Sequence, residues 1–289
     1  MKNFFTSVFS LSLLIGSSNV WALVDYSEPS SSTGGANKIS TKPTAIPESK
    51  GLIWKSDISL TTHYEASEYQ SKKMGILNFN THLQTPFNIY LDLTYWQGQG
   101  KTASGSGNPK VILGFNWLRF GSPSDEARFD FYGGARFSGK SELASSRTDK
   151  IFGVETTKRF GTFGLGLGYD LTLVGTPSRE TDMSIGNIHR ISVSGGWMVS
   201  NDIQFELEME SFKVSESSQS NGNTLNKSLS FSTLSPKLNL TILPSVTVEL
   251  GARFRTNKPK SEQDLSAAKL IDLHGAYSNS LFAGVSFNI

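Results

Sequence analysis

The chain has 289 residues, with 27 Lys plus Arg against 25 Asp plus Glu, four His and no Cys. The missing cysteine excludes disulfides, thiol catalysis, thiolate metal sites and a lipid-modified amino-terminal Cys. A net charge of +2 without a basic block makes nucleic acid an unexpected partner. His63, His82, His189 and His274 include no pair at metal-ligand spacing, so neither a metal nor another cofactor is expected.

Residues 1–22 read as a secretory signal peptide. Lys2 gives the positive start, Phe4 to Ile15 a short apolar core, and Val20-Trp21-Ala22 the cleavage positions, with cleavage expected after Ala22. The apolar part is too short for an anchor helix, which needs ~20 residues. Residues 23–50 carry Ser30, Ser31, Ser32, Gly34, Gly35, Pro43 and Pro47. That composition cannot bury a core and is expected to form a flexible periplasmic tail. No later run is long and apolar enough for a membrane helix, but a barrel strand needs only ~9–11 alternating residues.

From Gly51 the pattern repeats as alternating strand, connection, alternating strand. Trp54, Ile58, Leu60, Tyr64 and Ala66 share one face of the first strand, opposite Lys55, Asp57, Ser59, Thr61, His63 and Glu65. Leu77, Phe79 and Leu83 mark the second, and Ile89, Leu91, Leu93 and Tyr95 the third. Val111, Leu113, Phe115 and Trp117 follow in the fourth. The fifth sets Phe129, Phe131, Ala135 and Phe137 against Arg128, Asp130 and Arg136. The sixth has Phe152, Val154 and Thr156 opposite Glu155 and Arg159, and the seventh alternates from Phe163 to Leu173 against Gly164, Gly166 and Gly168. Ile191, Val193 and Trp197 mark the eighth, and the ninth sets Ile203, Phe205, Leu207 and Met209 against Glu206, Glu208 and Glu210. In the tenth, residues 228–242, the apolar parity changes between Phe231 and Leu238, which predicts a β-bulge near Ser235-Pro236. The eleventh sets Val246, Val248, Leu250, Ala252 and Phe254 against Glu249, Arg253 and Arg255. The last, from Leu281, keeps Ala283, Val285, Phe287 and Ile289 in one parity.

Short connections near 85–88, 121–126, 160–162, 200–202 and 243–245 alternate with longer polar ones near 67–72, 97–109, 139–148, 175–186, 215–227 and 256–270. Short turns at one end and longer loops at the other describe an up-and-down barrel of about 12 strands spanning residues 51–289. Aromatics fall at two heights: Trp54, Trp117, Phe129, Phe163, Trp197, Phe205 and Phe287 near the turns, and Tyr64, Tyr95, Phe137, Phe152 and Phe254 near the loops. Two belts suit amphipathic rings seated at two membrane interfaces. A soluble all-β sandwich would need neither feature.

Gly284, Phe287 and Ile289 resemble the terminal insertion signal of bacterial outer-membrane β-barrel proteins, although that family usually ends in an aromatic and prefers a polar residue where Phe282 stands. The resemblance covers residues 51–289 and implies a porin or small-solute channel type. It also implies outer-membrane lipids and the barrel-assembly machinery as partners, the latter through the terminal strand, and the cell outer membrane as location.

If the apolar face meets lipid, the charged face lines a lumen in which Arg128, Asp130, Arg136, Glu155, Glu206, Glu208, Glu210, Glu249, Arg253 and Arg255 are the expected selectivity groups. The Glu206, Glu208, Glu210 row is tolerable if water or cations are present, or if Arg190 or Lys237 comes close. The glycine stripe of the seventh strand either widens the lumen or lets a bulky neighbour such as Tyr132 lie across the sheet. Gly161 to Gly168 superficially suggests a phosphate loop, but strand residues follow where a helix start is required.

The expected function is passage of small polar or charged solutes. The alternatives are a plugged structural or surface-recognition barrel and, in last place, a lipid- or peptide-hydrolysing enzyme. Outer-membrane phospholipases use a His-x-Ser pair, whereas Ile191 stands two beyond His189. For an omptin-type protease Asp182 and His189 are the nearest candidates, at no diagnostic spacing.

Overall fold

The structure, a computed structural model, describes residues 57–69, 72–85, 87–101, 103–122, 125–217, 224–273 and 275–288. The expected signal peptide, the 23–50 tail, Trp54, Lys55, His274 and Ile289 lie outside the described residues. Thirteen strands form one antiparallel sheet. They are β1 (Asp57–Tyr69), β2 (Lys72–Gln84), β3 (Ile89–Gly100), β4 (Ser104–Ser106), β5 (Lys110–Phe120), β6 (Ala127–Arg136) and β7 (Asp149–Phe160). After these come β8 (Phe163–Leu173), β9 (Ile188–Met198), β10 (Ile203–Val214), β11 (Leu229–Leu243), β12 (Val246–Asn257) and β13 (Ser280–Asn288). A six-residue helix, α1 (Glu262–Ala267), lies between β12 and β13, with the Ser261 hydroxyl accepting from the Asp264 amide.

Twelve strands close into a ring in chain order, and β4 is a short spur on the end of β3. The seam pairs β1 with β13, from Ser59 opposite Asn288 to Ala66 opposite Leu281, so over that height the wall has no free edge. Side chains alternate across the wall. On β10, Phe205, Leu207 and Met209 point outward and are exposed, while Glu206, Glu208 and Glu210 point inward and are buried. The outer surface carries dozens of large exposed apolar side chains, among them Trp117, Phe163, Trp197 and Phe205 near the turn end and Tyr64, Tyr95, Phe152 and Phe254 near the loop end. Such an outer band would be strongly unfavourable in water, and it belongs against hydrocarbon. This is the transmembrane up-and-down barrel that the alternation predicts.

Two local expectations are corrected. First, β1 and β2 pair continuously out to Tyr69 opposite Lys72, so the polar stretch 67–72 is mostly strand rather than loop and the hairpin stands tall at the loop end. Second, β11 has no parity change at Ser235-Pro236. It pairs in continuous register with β10 from Leu229 to Leu240, and its register shifts against β12 fall at Ser232/Thr233 and Thr241/Leu243. Phe231 is apolar and faces inward, because at that height the lumen is apolar too.

That apolar inner zone is the second core of the molecule. Met74 and Ile76 of β2, Trp96 of β3, Ile188 of β9, Phe212 and Val214 of β10, and Leu229 and Phe231 of β11 all point inward near the loop end. The loops fold down among them: Leu143 from the β6–β7 loop, Met183 and Ile185 from β8–β9, Leu225 from β10–β11, and Leu265, Leu270 and Tyr277 from β12–β13. Phe212 and Phe231 stack at 4.7 Å between centroids. Trp96 and Ile188 sit on strands nearly opposite in the ring, yet they belong to one cluster. Each buried Leu or Phe contributes about 1.5–3 kcal/mol by leaving water, so the loops are held in place by a substantial apolar core.

Candidate functional site

Below this cap the lumen changes character. The inward positions of the middle strands are polar or charged and interlock between strands one or two places apart in the ring. Glu65 of β1 meets Arg253 of β12 at 2.9 Å. Lys237 of β11 lies 3.0 Å from Glu208 and 3.9 Å from Glu206 of β10. Arg190 of β9 bonds Glu210 at 2.9 Å and also donates to Asp170 of β8, which accepts the Tyr132 hydroxyl as well. Asn116 donates to Asp130 at 2.6 Å, and His82 pairs with Asp92 at 2.7 Å. Buried charges of this kind persist only when paired, because desolvation costs several kcal/mol per ion. The three glutamates of the β10 row are therefore held by two cations from the flanking strands.

The cap is tied to this layer by ions as well as by packing. Arg136, buried at the loop end of β6, donates to Asp149 and to Asp272 of the β12–β13 segment. Arg147, wholly buried, lies 3.3 Å from Asp149 and donates to the Ala268 carbonyl at 2.7 Å, just beyond α1. Burial alone would push the Asp272 carboxyl up. The charge and hydrogen bond of Arg136, with Lys110 and Arg147 nearby, outweigh this and hold it below the ordinary aspartate range.

Between cap and turn end lies a cavity of about 170 Å³, with Tyr90, Asp130, Glu155 and Arg190 in its wall and Asp272 and Leu273 of the plug at its edge. At ~30 Å³ per water it holds only a handful of molecules. Glu155 and Lys110 face it, and among the described residues no hydrogen bond or ion pair engages either side chain.

Of the residues singled out from sequence, Asp130, Arg136, Glu206, Glu208, Glu210 and Arg253 are buried and inward-facing, Arg128, Glu155 and Glu249 are inward and half-buried, and Arg255 is inward with its side chain buried. They do not form one cluster. Arg128 sits near the turn end, 3.9 Å from Glu126, and Arg255 sits at the loop end, 2.8 Å from Glu262. Gly284 faces inward on β13 and Phe287 outward near the turn end. Sequence reading missed Asp149, Arg147 and Asp272, which lie at or beyond strand ends in segments that looked like ordinary polar loop. The signal was available in the apolar residues flanking them, Leu143, Ala144, Leu270 and Ile271, which an exposed loop does not need.

The tyrosine packing differs from the sequence expectation. Tyr132 lies over Gly153, its cross-strand partner on β7, rather than over the β8 glycines. Tyr90 lies in the same way over Gly114 of β5. A side chain at Gly153 would occupy the ring's place and pull its hydroxyl from Asp170. Gly153→Val is therefore expected to destabilise the barrel by about 1–3 kcal/mol, read as a lower midpoint for loss of the compact band on a heat-shift gel. Gly133→Ala, whose added carbon would meet Phe152 no closer than 3.5 Å, serves as the near-neutral control.

Hydrolytic candidates are not brought together. Asp182 is engaged by Arg179 at 3.2 Å and by the Ser146 amide, and His189 by the Tyr169 hydroxyl at 2.9 Å. Among the described residues no group of His, Asp and Glu is arranged to hold a metal.

No family model matches the chain, and no curated protein matches it. Among solved structures it is similar to the COG4313 outer membrane channel from Pseudomonas putida F1, with a TM-score of 0.59 and 12% identity over 86% of this chain and 100% of that one. It is also similar to the NanC porin, with a TM-score of 0.52 and 12% identity over 81% of this chain and 100% of that one. At these identities the likeness is one of fold, a closed outer-membrane type barrel.

Proposed function

We propose that this barrel is an outer-membrane channel for small polar or charged solutes, closed at its outer mouth by a loop plug that must move for solute to pass. One observation carries the reading. A layer of charged, mostly paired side chains lines the inner wall beneath a separately packed apolar cap, where an interior filled for structure alone could be apolar throughout. Around the cavity carboxylates outnumber cations: Asp92, Asp130, Glu155, Asp170, Glu208, Glu210 and Asp272 face Lys110, Arg128, Arg136 and Arg190. The path is therefore expected to favour cations and to admit only solutes small enough to thread paired side chains. Charges already paired act mainly as walls, and Glu155, which has no such partner among the described residues, acts on the passing ion.

The outer-membrane location follows the same reading. Residues 1–22 act as the cleaved export signal, the outward apolar band meets membrane lipid, and Gly284, Phe287 and Ile289 of the terminal strand present the insertion signal to the barrel-assembly machinery. Among the described residues Asp182 and His189 have separate partners and are not brought together for hydrolysis, and we read the protein as a non-enzyme.

The test is conductance of the refolded protein in a planar bilayer under a salt gradient. Discrete steps with cation preference are expected, and Glu155→Gln should move the reversal potential toward zero with no change in the heat-shift midpoint. An unchanged potential would remove Glu155 from the path. The packed cap itself favours one rival, a permanently plugged structural barrel. A folded, heat-modifiable protein that stays silent at every voltage would establish that rival.

A further inference from the structure

The barrel wall is not equally tall all round. β13 begins at Ser280, opposite Arg253 of β12, and Leu281 is opposite Ala66 of β1. Beyond that height β12 continues to Asn257, paired only with β11, and β1 continues to Tyr69, paired only with β2. Between them no strand fills the wall, because residues 258–279 turn inward to form the plug. The result is a notch at the loop end, flanked by β12 and β1. At ~3.3 Å per residue the flanks without a strand partner on this side are about 10 Å tall, and on β12 the Arg255 amide donates to the Asn279 side chain at 2.8 Å.

A cleft of about 1670 Å³ opens at this notch. Part of its lining is the lipid-facing surface of the barrel, represented by the exposed side chains of Tyr64, Ala66, Phe254 and Leu281. The opposite side is the polar face of α1, with Ser261, Gln263 and Ser266. The charges around it are one-sided. Among the described residues Lys73, Arg255, Lys258, Lys260 and Lys269 line it against a single acid, Glu262, which Arg255 already engages. Arg255 has less than a tenth of its side chain exposed, and its Nε meets no acceptor among the described residues. That leaves a buried donor at the inner wall of a basic cleft whose outer wall is greasy.

We propose that the notch is a binding site for a phosphorylated lipid of the outer leaflet, its acyl chain lying along Phe254 and Leu281 and its phosphate held by Lys73, Lys258 and Lys260 with Arg255 behind. Both halves of the cleft are needed to name the ligand. A free phosphate would leave the apolar half empty, and the volume exceeds the ~300–1,000 Å³ of ordinary small-molecule pockets. A neutral lipid would leave the four lysines without a carboxylate among the described residues. The bound lipid would stand against α1, so the site puts a membrane component in contact with the plug. It would also fill a gap through which the wall leaves the plug segment open to the side.

Native mass spectrometry of the detergent-solubilised, folded barrel tests this, with phosphatidic acid, phosphatidylcholine and inorganic phosphate as probes. The wild type is expected to retain phosphatidic acid, to ignore phosphatidylcholine at the same concentration, and to keep its lipid when inorganic phosphate is added in excess. The triple variant Lys73→Gln, Lys258→Gln, Lys260→Gln should lose about a hundredfold in affinity for phosphatidic acid. The triple variant Lys101→Gln, Lys140→Gln, Lys227→Gln, at exposed loop-end positions outside the cleft, should bind as the wild type does. Equal retention of phosphatidylcholine, displacement by inorganic phosphate, wild-type binding by the first variant, or an equal loss in the second would each overturn the proposal. All the substituted lysines are exposed, and the heat-shift gel confirms that every variant scored is folded.

Discussion

Replacing residues 259–277 with a short Gly–Ser linker is expected to turn a mostly closed protein into one that conducts almost continuously. The deleted segment supplies Leu265, Leu270, Ile271, Ala276 and Tyr277 to the apolar cap and Asp272 to the charged layer beneath it. Without it, Arg136 keeps Asp149, so the wall itself stays paired. A subtler version is Asp272→Asn, which removes one of the two carboxylates on Arg136. Losing a hydrogen bond to a charged group costs about 1.5–3 kcal/mol, which raises the open-to-closed ratio roughly ten- to a hundredfold. Acid should mimic it. The Asp272 carboxyl is held below its ordinary value in the closed form, so its contribution to closure is full above the unperturbed pKa of about 3.9 and declines as pH falls through the lowered value. Openings should therefore become frequent only below about pH 4 and be insensitive to pH between 5 and 8 as far as this contact is concerned. The check is open probability in single-channel records. If the linker variant conducts no more than its parent, the loops do not obstruct the path and the plug reading fails.

Lys237→Met is expected to be the most damaging single substitution in the lumen wall. The ammonium group sits between Glu206 and Glu208, and all three residues are buried. Removing the cation strands two neighbouring carboxylates, and breaking a buried pair from one side costs about 3–5 kcal/mol. The double variant Lys237→Met, Glu208→Gln removes the partner along with the charge and should recover much of that loss, since Glu206 alone then remains. Urea unfolding in detergent or in vesicles measures both. Additive losses in the double variant would show that Lys237 and Glu208 do not act as a pair.

The ring was legible in the sequence because a two-sided wall imposes a period of 2 wherever one side meets hydrocarbon and the other water. Glu206, Glu208 and Glu210 against Phe205, Leu207 and Met209 is that rule in one strand. The cap was not legible from the same rule. Toward the loop end the inward positions become apolar as well, so Phe212 and Val214 continue the face of the glutamates while reading as a mere loss of alternation. Phe231 suffered the same way: an apolar residue on the inner parity looked like a bulge, when it marks the height at which the inside turns dry. The plug ions escaped for a different reason. Asp272 and Arg136 are 136 residues apart, and no local pattern reports a contact of that separation.

The seam between the first and last strands has a kinetic consequence. Glu65 on β1 and Arg253 on β12 bond to each other across β13, which lies between them in the wall, and the guanidinium rests 5.2 Å from the ring of Phe282 on β13 itself. Gly251 gives that ring its space. Phe282, where outer-membrane barrels tend to carry a polar residue, is thus the anvil on which an internal clasp is closed. The two clasp residues are 188 positions apart, so the bond forms only after every intervening strand is in place. It adds nothing to the early steps of assembly and acts on the completed cylinder as a latch. Its expected signature is a slower rate of unzipping with little change in the rate of insertion.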